Sequence, residues 1–437
     1  MVKVVKFGGS SLASAEQFRK VKDIILSDPD RRYVVPSAPG KRDSSDTKVT
    51  DMLYRCYALA ENGEDFSEAL AQIKARYQEI IDGLSLTVTL DSQFETIAKD
   101  FAAKAGKDYA ASRGEFLNGT LLAAYLGFEF VDPAQYIFFH EDGTFDDRTT
   151  QKKLSAKLAG MTHAVVPGFY GAYADGRVKT FSRGGSDITG SIVARAVQAN
   201  LYENWTDVSG FLVTDPRIVE NPKVIETITY RELRELSYMG AGVLHEDAIF
   251  PVRTAGIPIN IKNTNRPSDE GTFIVENTSR KPAYTITGIA GKKGFTAINI
   301  EKDMMNTEIG FGRKVLQAFE DNGISFEHMP SGIDTLSVFV HQSEFEEKEQ
   351  SILAEIHKLC NPDSIEISTD LALIAVVGRG MKSNHGTAAK IFRALDQADV
   401  NIRMIDQGSS ELNIIIGVAS KDFETAVTAI YNAFVQK

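Results

Sequence analysis

The stretch V-K-V-V-K-F-G-G-S-S, residues 2 to 11, decides the fold class. Val2, Val4, Val5 and Phe7 are β-branched or aromatic and the run is short, which predicts a buried strand. Gly8-Gly9 breaks it and Ser10-Ser11 follows. Phe18, Val21, Ile24 and Ile25 then recur on one helical face, behind Ser14 and Gln17 at capping-box spacing.

A strand that feeds a glycine turn opening a helix aims backbone N–H groups and the positive helix end at one point. Glycine lets the backbone approach an anion closely, and Lys6 adds a full charge just before the turn. The stretch therefore reads as a polyphosphate cradle. It matches neither G-x-x-x-x-G-K-[ST] nor G-x-G-x-x-G, and a glycine pair after a strand also serves as a plain tight turn.

The chain has 437 residues, 43% of them hydrophobic, enough for two to four domains with sizeable cores. Its net charge of −11 and the absence of a basic run argue against a nucleic-acid surface. Cys56 and Cys360, the only cysteines, lack metal-ligand spacing and suit a reducing compartment, and no metal site built by the protein alone is expected. No secretory segment and no apolar stretch near 18 residues occurs, so a soluble cytoplasmic protein with no membrane partner is expected.

Tyr33 to Val35 predicts a second strand, broken at Pro36 before Ser37, and residues 40 to 48 form a polar loop. Thr50 starts a helix carrying Leu53, Tyr57 and Leu59. Serine at a strand end and threonine at a helix start line ligand clefts, or act in ordinary turns and caps. Residues 65 to 83 and 92 to 106 are periodic helices. Ser112-Arg113-Gly114-Glu115 leads into an apolar helix from Phe116 to Leu126, which puts Glu115 at a helix start, where an acid also suits the dipole. Residues 128 to 131 and 164 to 167 read as strands, with a turn at Asp142-Gly143 between them.

A second glycine constellation, F-S-R-G-G-S-D at 181 to 187, precedes a helix from Ile188 to Ala199. Arg183 offers a planar fork for a carboxylate or phosphate, and Asp187 pairs with lysine or magnesium or caps the helix. Two glycine-opened helices, each with a basic residue, strengthen the case for an anion site. Beyond them come Trp205-Thr206-Asp207 at a strand end, the turn Asp215-Pro216-Arg217, and a strand from Pro258 that ends on Lys262.

Together K-F-G-G-S-S, F-S-R-G-G-S-D, T-D-V-S-G-F-L-V-T-D-P-R and N-I-K-N-T-N-R-P…G-T resemble the aspartate kinases of the amino-acid kinase family, over residues 1 to 275 and in the right order. The resemblance implies a three-layer α/β/α sandwich on a mostly parallel sheet, with ATP and Mg²⁺ as cofactors. It also implies phosphorylation of the L-aspartate β-carboxylate at the start of lysine, threonine and methionine biosynthesis. Lys6 and Gly8, Gly9 and Ser10 match the phosphate lysine and cradle. Arg183 matches the clamp on the α-carboxylate, with Gly184, Gly185 and Ser186 lining the same site. Ser37, Thr50 and Glu115 match substrate-side positions, Glu115 taking the amino group. Asp187 matches the carboxylate that orients the lysines, and Thr206, Asp207, Arg217 and Lys262 match nucleotide positions. Catalysis thus falls to Lys6, Asp187 and Lys262. Leu212 replaces a tyrosine common near the adenine, and Pro36 replaces an aliphatic residue. The other readings are a sibling kinase with another acceptor and a non-catalytic amino-acid sensor.

The C-terminal third holds an internal repeat, residues 298 to 341 aligning without a gap onto 374 to 417. Gly310 matches Gly386, Lys314 matches Lys390, and Leu336, Val338 and Val340 match Leu412, Ile414 and Ile416. Each copy reads β-α-β-β-α, a ferredoxin-like unit. The copies resemble paired ACT modules, which implies a feedback amino acid and a homodimer through these modules, or a pair of dimers. The expected domains are a kinase domain at 1–285 and ACT modules at 286–361 and 362–437, the strand near 286 to 290 joining either module. No fused homoserine dehydrogenase is expected after the second module. In the first copy Met304, Thr307, Ile309, Gly310 and Phe311 match the effector loop, and Glu327 and Ser331 match contacts to the effector. Glu327 suits a basic amino acid, so lysine is the expected effector, with threonine next. The turn at Lys382 to Gly386 in the second copy is expected to be structural.

Overall fold

Residues 1–182, 184–241, 246–279 and 282–435 are described by the structure, a computed structural model, with 246–248 described by their backbone alone. The chain forms two compact units, Met1–Phe211 with Val224–Tyr230 and Val243–Thr278, and Leu212–Lys223 with Arg231–Gly242 and Ser279–Lys437. Three stretches of the expected 1–285 domain, Leu212–Lys223, Arg231–Gly242 and the residues from Ser279 on, thus group with the second unit.

The first unit is built on an eight-stranded sheet. Its strands are β1 (Lys3–Phe7), β2 (Arg31–Pro36), β3 (Glu129–Phe130), β4 (Ala164–Val165), β5 (Leu201–Thr206), β6 (Thr227–Thr229), β7 (Ile259–Asn263) and β8 (Thr272–Val275). They lie in the order β3-β4-β2-β1-β5-β7-β8-β6, every pair parallel except β7 with β8. β1 is central because its valines are buried on both faces, as a doubly covered parallel strand requires.

On one face Val5, Phe7, Val34, Val165 and Trp205 share a core with five helices. These are α1 (Ala15–Leu26), α2 (Val49–Asn62), α3 (Ser67–Gly83), the helix Asp91–Ala102 and α4 (Lys107–Leu126). The opposite face carries α5 (Gly185–Ala196), which packs on β1, β2 and β5 and is itself backed by Asp147–Leu158 and Glu246–Thr254. That is the expected α/β/α layering, and Phe18, Val21, Ile24 and Ile25 of α1 are buried as their spacing requires. Ser14 caps α1 by accepting from the Gln17 N–H, but the Gln17 side chain donates to Asn265 instead of completing the box.

The expected place of Glu115 does not hold. Glu115 is not at a helix start but in the middle of α4, which begins nine residues before Phe116. Gly114 looks like a breaker in sequence, yet a Cβ there would stand 2.8 Å from the Ala38 Cβ, so the glycine serves close packing within a continuous helix. The helix dipole therefore does not explain the acid.

The second unit carries a five-stranded antiparallel sheet of β9 (Gly288–Glu301), β10 (Thr335–His341), β11 (Ser364–Val377), β12 (Met404–Asp406) and β13 (Asn413–Ala419), in the order β10-β9-β11-β13-β12. Both β9 and β11 run through the two copies of the repeat. Residues 288–293 pair with 372–377, and 297–301 pair with 364–368. β10 joins the second half of β9, and β13 joins the second half of β11. The seam between copies in the sheet thus crosses two long strands. The short strand between helix and β10 in the first copy is reduced to isolated bridges at His328 and Ser331. Also within this unit, Glu232 of α6 (Tyr230–Tyr238) is fully buried and paired with Arg379 at 2.9 Å. Among the described residues no helix is long and apolar enough to cross a membrane.

Candidate active site

Parallel strands end together, so β1, β2, β5 and β7 deliver their C-terminal residues to one edge of the sheet, where open α/β sheets place ligands. Lys6 and Asn204 are register partners on β1 and β5 and point to the same face. The buried Lys6 Nζ lies 2.6 Å from Asp187 Oδ1 and donates to Asn204 Oδ1 at 3.3 Å. Asn204 Nδ2 donates to the same Asp187 oxygen at 2.8 Å, closing a three-membered ring. Asp187 reaches it from the first turn of α5, which Gly184 starts in a left-handed conformation at φ +61°.

The glycine turn is a 3-10 segment, Gly9–Leu12, and not the direct opening of α1. The Gly8 N–H donates to the Trp205 carbonyl at 3.0 Å, and Ser11 Oγ meets Thr264 Oγ1 at 2.7 Å, tying the turn to the ends of β5 and β7. Gly9 is required by packing. A Cβ on it would stand 2.9 Å from the Ala38 carbonyl, and the Gly40 N–H donates to the Gly9 carbonyl at 2.8 Å. From the buried side, Arg76 Nη2 of α3 donates at 3.0 Å to both the Ala13 and Gly40 carbonyls.

The second turn holds the substrate-side candidates. The Ser37 N–H donates to the Phe7 carbonyl, and Pro36, at the last position of β2, fits without loss of a ladder bond beyond it. The Ala38 N–H donates to Glu115 Oε1 at 3.1 Å, while Glu115 Oε2 has no hydrogen-bond partner. Burial pushes the Glu115 carboxyl up to about 8, against the pull of the Ala38 N–H. Thr50, half-buried, is in the first turn of α2. On the other side Ser186 is buried beneath Gly168, where a Cβ would stand 2.5 Å from Ser186 Oγ. Gly185 is packed on Phe169, itself strained at φ +80°. Arg183 lies outside the described residues.

Lys262 is not brought to Lys6. It pairs with Trp205 in register and so belongs to the opposite face of the sheet. Its Nζ donates to the Asp269 carbonyl at 2.7 Å and sits 5.3 Å from the Trp205 ring centroid, and burial holds its pKa below the usual lysine value. Thr206 bonds its neighbour Asp207. Arg217 belongs to the second unit, where it is exposed and paired with Asp215 at 2.6 Å. Among the described residues no group of three or more His, Cys, Asp or Glu is placed to hold a metal.

Of the effector candidates, Met304, Thr307, Ile309 and Gly310 share one exposed turn, Ile309 being 99% exposed. Ser331 is likewise exposed. Phe311 is buried in the first copy's core instead, and Glu327 is nearly buried with His341 Nε2 3.3 Å away. Glu308, between Lys302 and Lys314, was not singled out by the sequence. Neither were Asn204, Asn118 and Phe169.

The amino acid kinase family model matches residues 1–263, and an ACT domain model matches 374–434. Aspartokinase 3 of Bacillus subtilis is 42% identical over 99% of this chain and 98% of its own. The crystal structure of Clostridium acetobutylicum aspartate kinase is 56% identical with a TM-score of 0.93, over 99% of this chain and 100% of that one. E. coli aspartokinase III is 26% identical in complexes with aspartate and ADP (R-state, TM-score 0.72, 99% of each chain) and with lysine and aspartate (T-state, TM-score 0.74, 100% of each).

Proposed function

The chain belongs to the aspartokinases of the amino acid kinase family, phosphotransferases with a carboxyl acceptor, and we propose that Lys6, Asp187 and Lys262 carry the transfer. The reaction is ATP-dependent phosphorylation of the aspartate β-carboxylate. One carboxylate oxygen forms a bond to the γ-phosphorus as the bond to the β–γ bridging oxygen breaks, giving 4-phospho-L-aspartate and ADP. The acceptor is ionised at neutral pH, so positioning and charge stabilisation are needed and a general base is not.

The ring of Lys6, Asp187 and Asn204 carries this reading. Asp187 and Asn204 hold the ammonium at the end of β1, beside the turn of Gly8, Gly9 and Ser10 that receives the phosphates. Mg²⁺ binds through one or two carboxylates plus substrate phosphates, a donor set that Asp187 and the nucleotide fit, and it offsets phosphate charge when bound. Lys262, Thr206 and Asp207 serve the nucleotide, Lys262 after leaving the Asp269 carbonyl. Ser37, Thr50, Ser186 and Arg183 hold aspartate, and the free Glu115 Oε2 accepts its amino group.

The second unit is the regulatory half. Lysine is its effector, on the turn of Met304, Thr307, Ile309 and Gly310, and it shifts the enzyme between two global states. The lysine complex of E. coli aspartokinase III supports this choice. Copies of the chain pair through these modules, for which the exposed Met304, Ile309 and Ile333 are suited. Free, buried Cys56 and Cys360 suit the cytoplasm.

ADP release with ATP, Mg²⁺ and either aspartate or another acidic acceptor is the test. Aspartate-dependent release that disappears in Lys6→Met supports the reading. Release with a different acceptor only would make the chain a sibling kinase, and activity indifferent to millimolar lysine would remove lysine as effector.

A further inference from the structure

Two orphan acceptors lie one turn apart on α4. Glu115 uses Oε1 for the Ala38 N–H and leaves Oε2 unpartnered. Asn118 donates from Nδ2 to the Ser37 carbonyl at 2.6 Å and leaves Oδ1 unpartnered. The amide orientation is fixed, because only the NH₂ end can donate to a carbonyl. Asn118 is 0% exposed and Glu115 5%. Both are anchored to consecutive residues of one loop, and side chains three apart share a helix face. Their free oxygens therefore serve the same small region beside Ser37-Ala38.

Buried acceptors need donors. Two of them, one on a carboxylate, suit a group that brings several N–H bonds and a positive charge together. An ammonium has three donors and no acceptor.

We propose that Asn118 is a specificity-determining residue that, with Glu115, reads the α-ammonium of the acceptor amino acid. The proposal rests on the aspartokinase reading and deepens it. Glu115 supplies the single compensating charge and Asn118 a neutral second acceptor. A second carboxylate would repel the first, whereas an amide adds directionality without charge. An acceptor of the same shape lacking the amine, such as succinate, offers neither oxygen an ammonium partner. A site of this construction rejects such an analogue strongly.

The test uses the full chain and two ligands, aspartate and succinate, with calorimetric binding in the absence of nucleotide and steady-state KM values for aspartate and ATP. Wild type should bind aspartate and discriminate against succinate. Asn118→Leu should weaken aspartate binding by about tenfold or more, leave the KM for ATP unchanged and narrow the aspartate-to-succinate ratio. The ratio is measured within one variant, so it is insensitive to a general loosening of the Ser37 loop. An Asn118 that only supports that loop would weaken both ligands alike, and an unchanged ratio overturns the proposal. Should Asn118→Leu fail to fold, Asn118→Ser withdraws the amide and carries the same comparison. An active wild type with an unchanged ratio in the variant sinks this assignment alone. A wild type without aspartate-dependent ADP release overturns the aspartokinase reading beneath it.

Discussion

Lys6 and Asn204 stand opposite each other on the two central parallel strands, and the asparagine joins the lysine to Asp187 by accepting from one and donating to the other. The ammonium is thus buried with one carboxylate and one amide around it. Strand register, and not proximity in sequence, sets this geometry.

Replacing Asn204 by leucine keeps the strand and removes the bridge. We expect kcat to fall by about tenfold to a hundredfold, the loss of a hydrogen bond to a charged group, with little change in the KM for aspartate. Lys6→Met removes the charge itself and should cost on the order of 10²–10³ or more in kcat. Equal kcat losses in the two variants would show that Asn204 does more than position the lysine.

Glu115 sets a pH dependence. Its carboxyl titrates at about 8 in the fold, above its ordinary value, so the folded state holds a proton that the unfolded chain has released. Substrate-free protein should therefore lose stability as pH rises from the ordinary carboxylate range towards 8. Thermal unfolding of wild type against Glu115→Gln from pH 5 to 8.5 reads this, the variant lacking the slope. Aspartate needs the ionised form, so its affinity should rise with pH by up to about tenfold per unit and level off above 8. A pH-independent KM for aspartate would contradict it.

Gly40 and Gly8 should separate sharply. A Cβ on Gly40 would stand 2.6 Å from the Gly9 carbonyl carbon and 2.8 Å from the Ser10 nitrogen, both backbone, so the two turns must move apart. Gly40→Ala should cost about 1–3 kcal/mol and most of the activity. At Gly8 the nearest atoms are 3.7 Å away, so Gly8→Ala should fold normally. Its KM for ATP then reports how closely phosphate approaches that turn.

In the second unit Glu232 accepts from the backbone N–H and the guanidinium of Arg379 and from Thr287 Oγ1 at 2.6 Å. Arg379→Met strands a buried carboxylate and should cost about 3–5 kcal/mol in unfolding free energy. Adding Glu232→Leu should recover part of that loss, because no buried charge remains. A double variant no more stable than the single would point to a role beyond the ion pair.

The glycine turns, the lysine before the first and the aspartate after the second were legible because backbone geometry and charge at a turn are local requirements. The repeat was legible because each copy keeps its own apolar spacing. Glu115 was placed at a helix start because the apolar run begins only at Phe116, and only Ala38, 76 residues before Gly114, explains why that glycine is there.

The sequence by itself determined most of the elements, the α/β/α class and the family, since these depend on periodicity and on groups adjacent in the chain. Only the tertiary structure decided that Lys262 lies across the sheet from Lys6, that Asn204 completes the Lys6–Asp187 pair, and that Asn118 and Glu115 each keep a buried oxygen without a hydrogen-bond partner. It also decided that the two copies of the repeat share their long strands. The face of a sheet, the register between strands distant in sequence and the pairing of buried polar atoms are relations between segments, and no single segment encodes them.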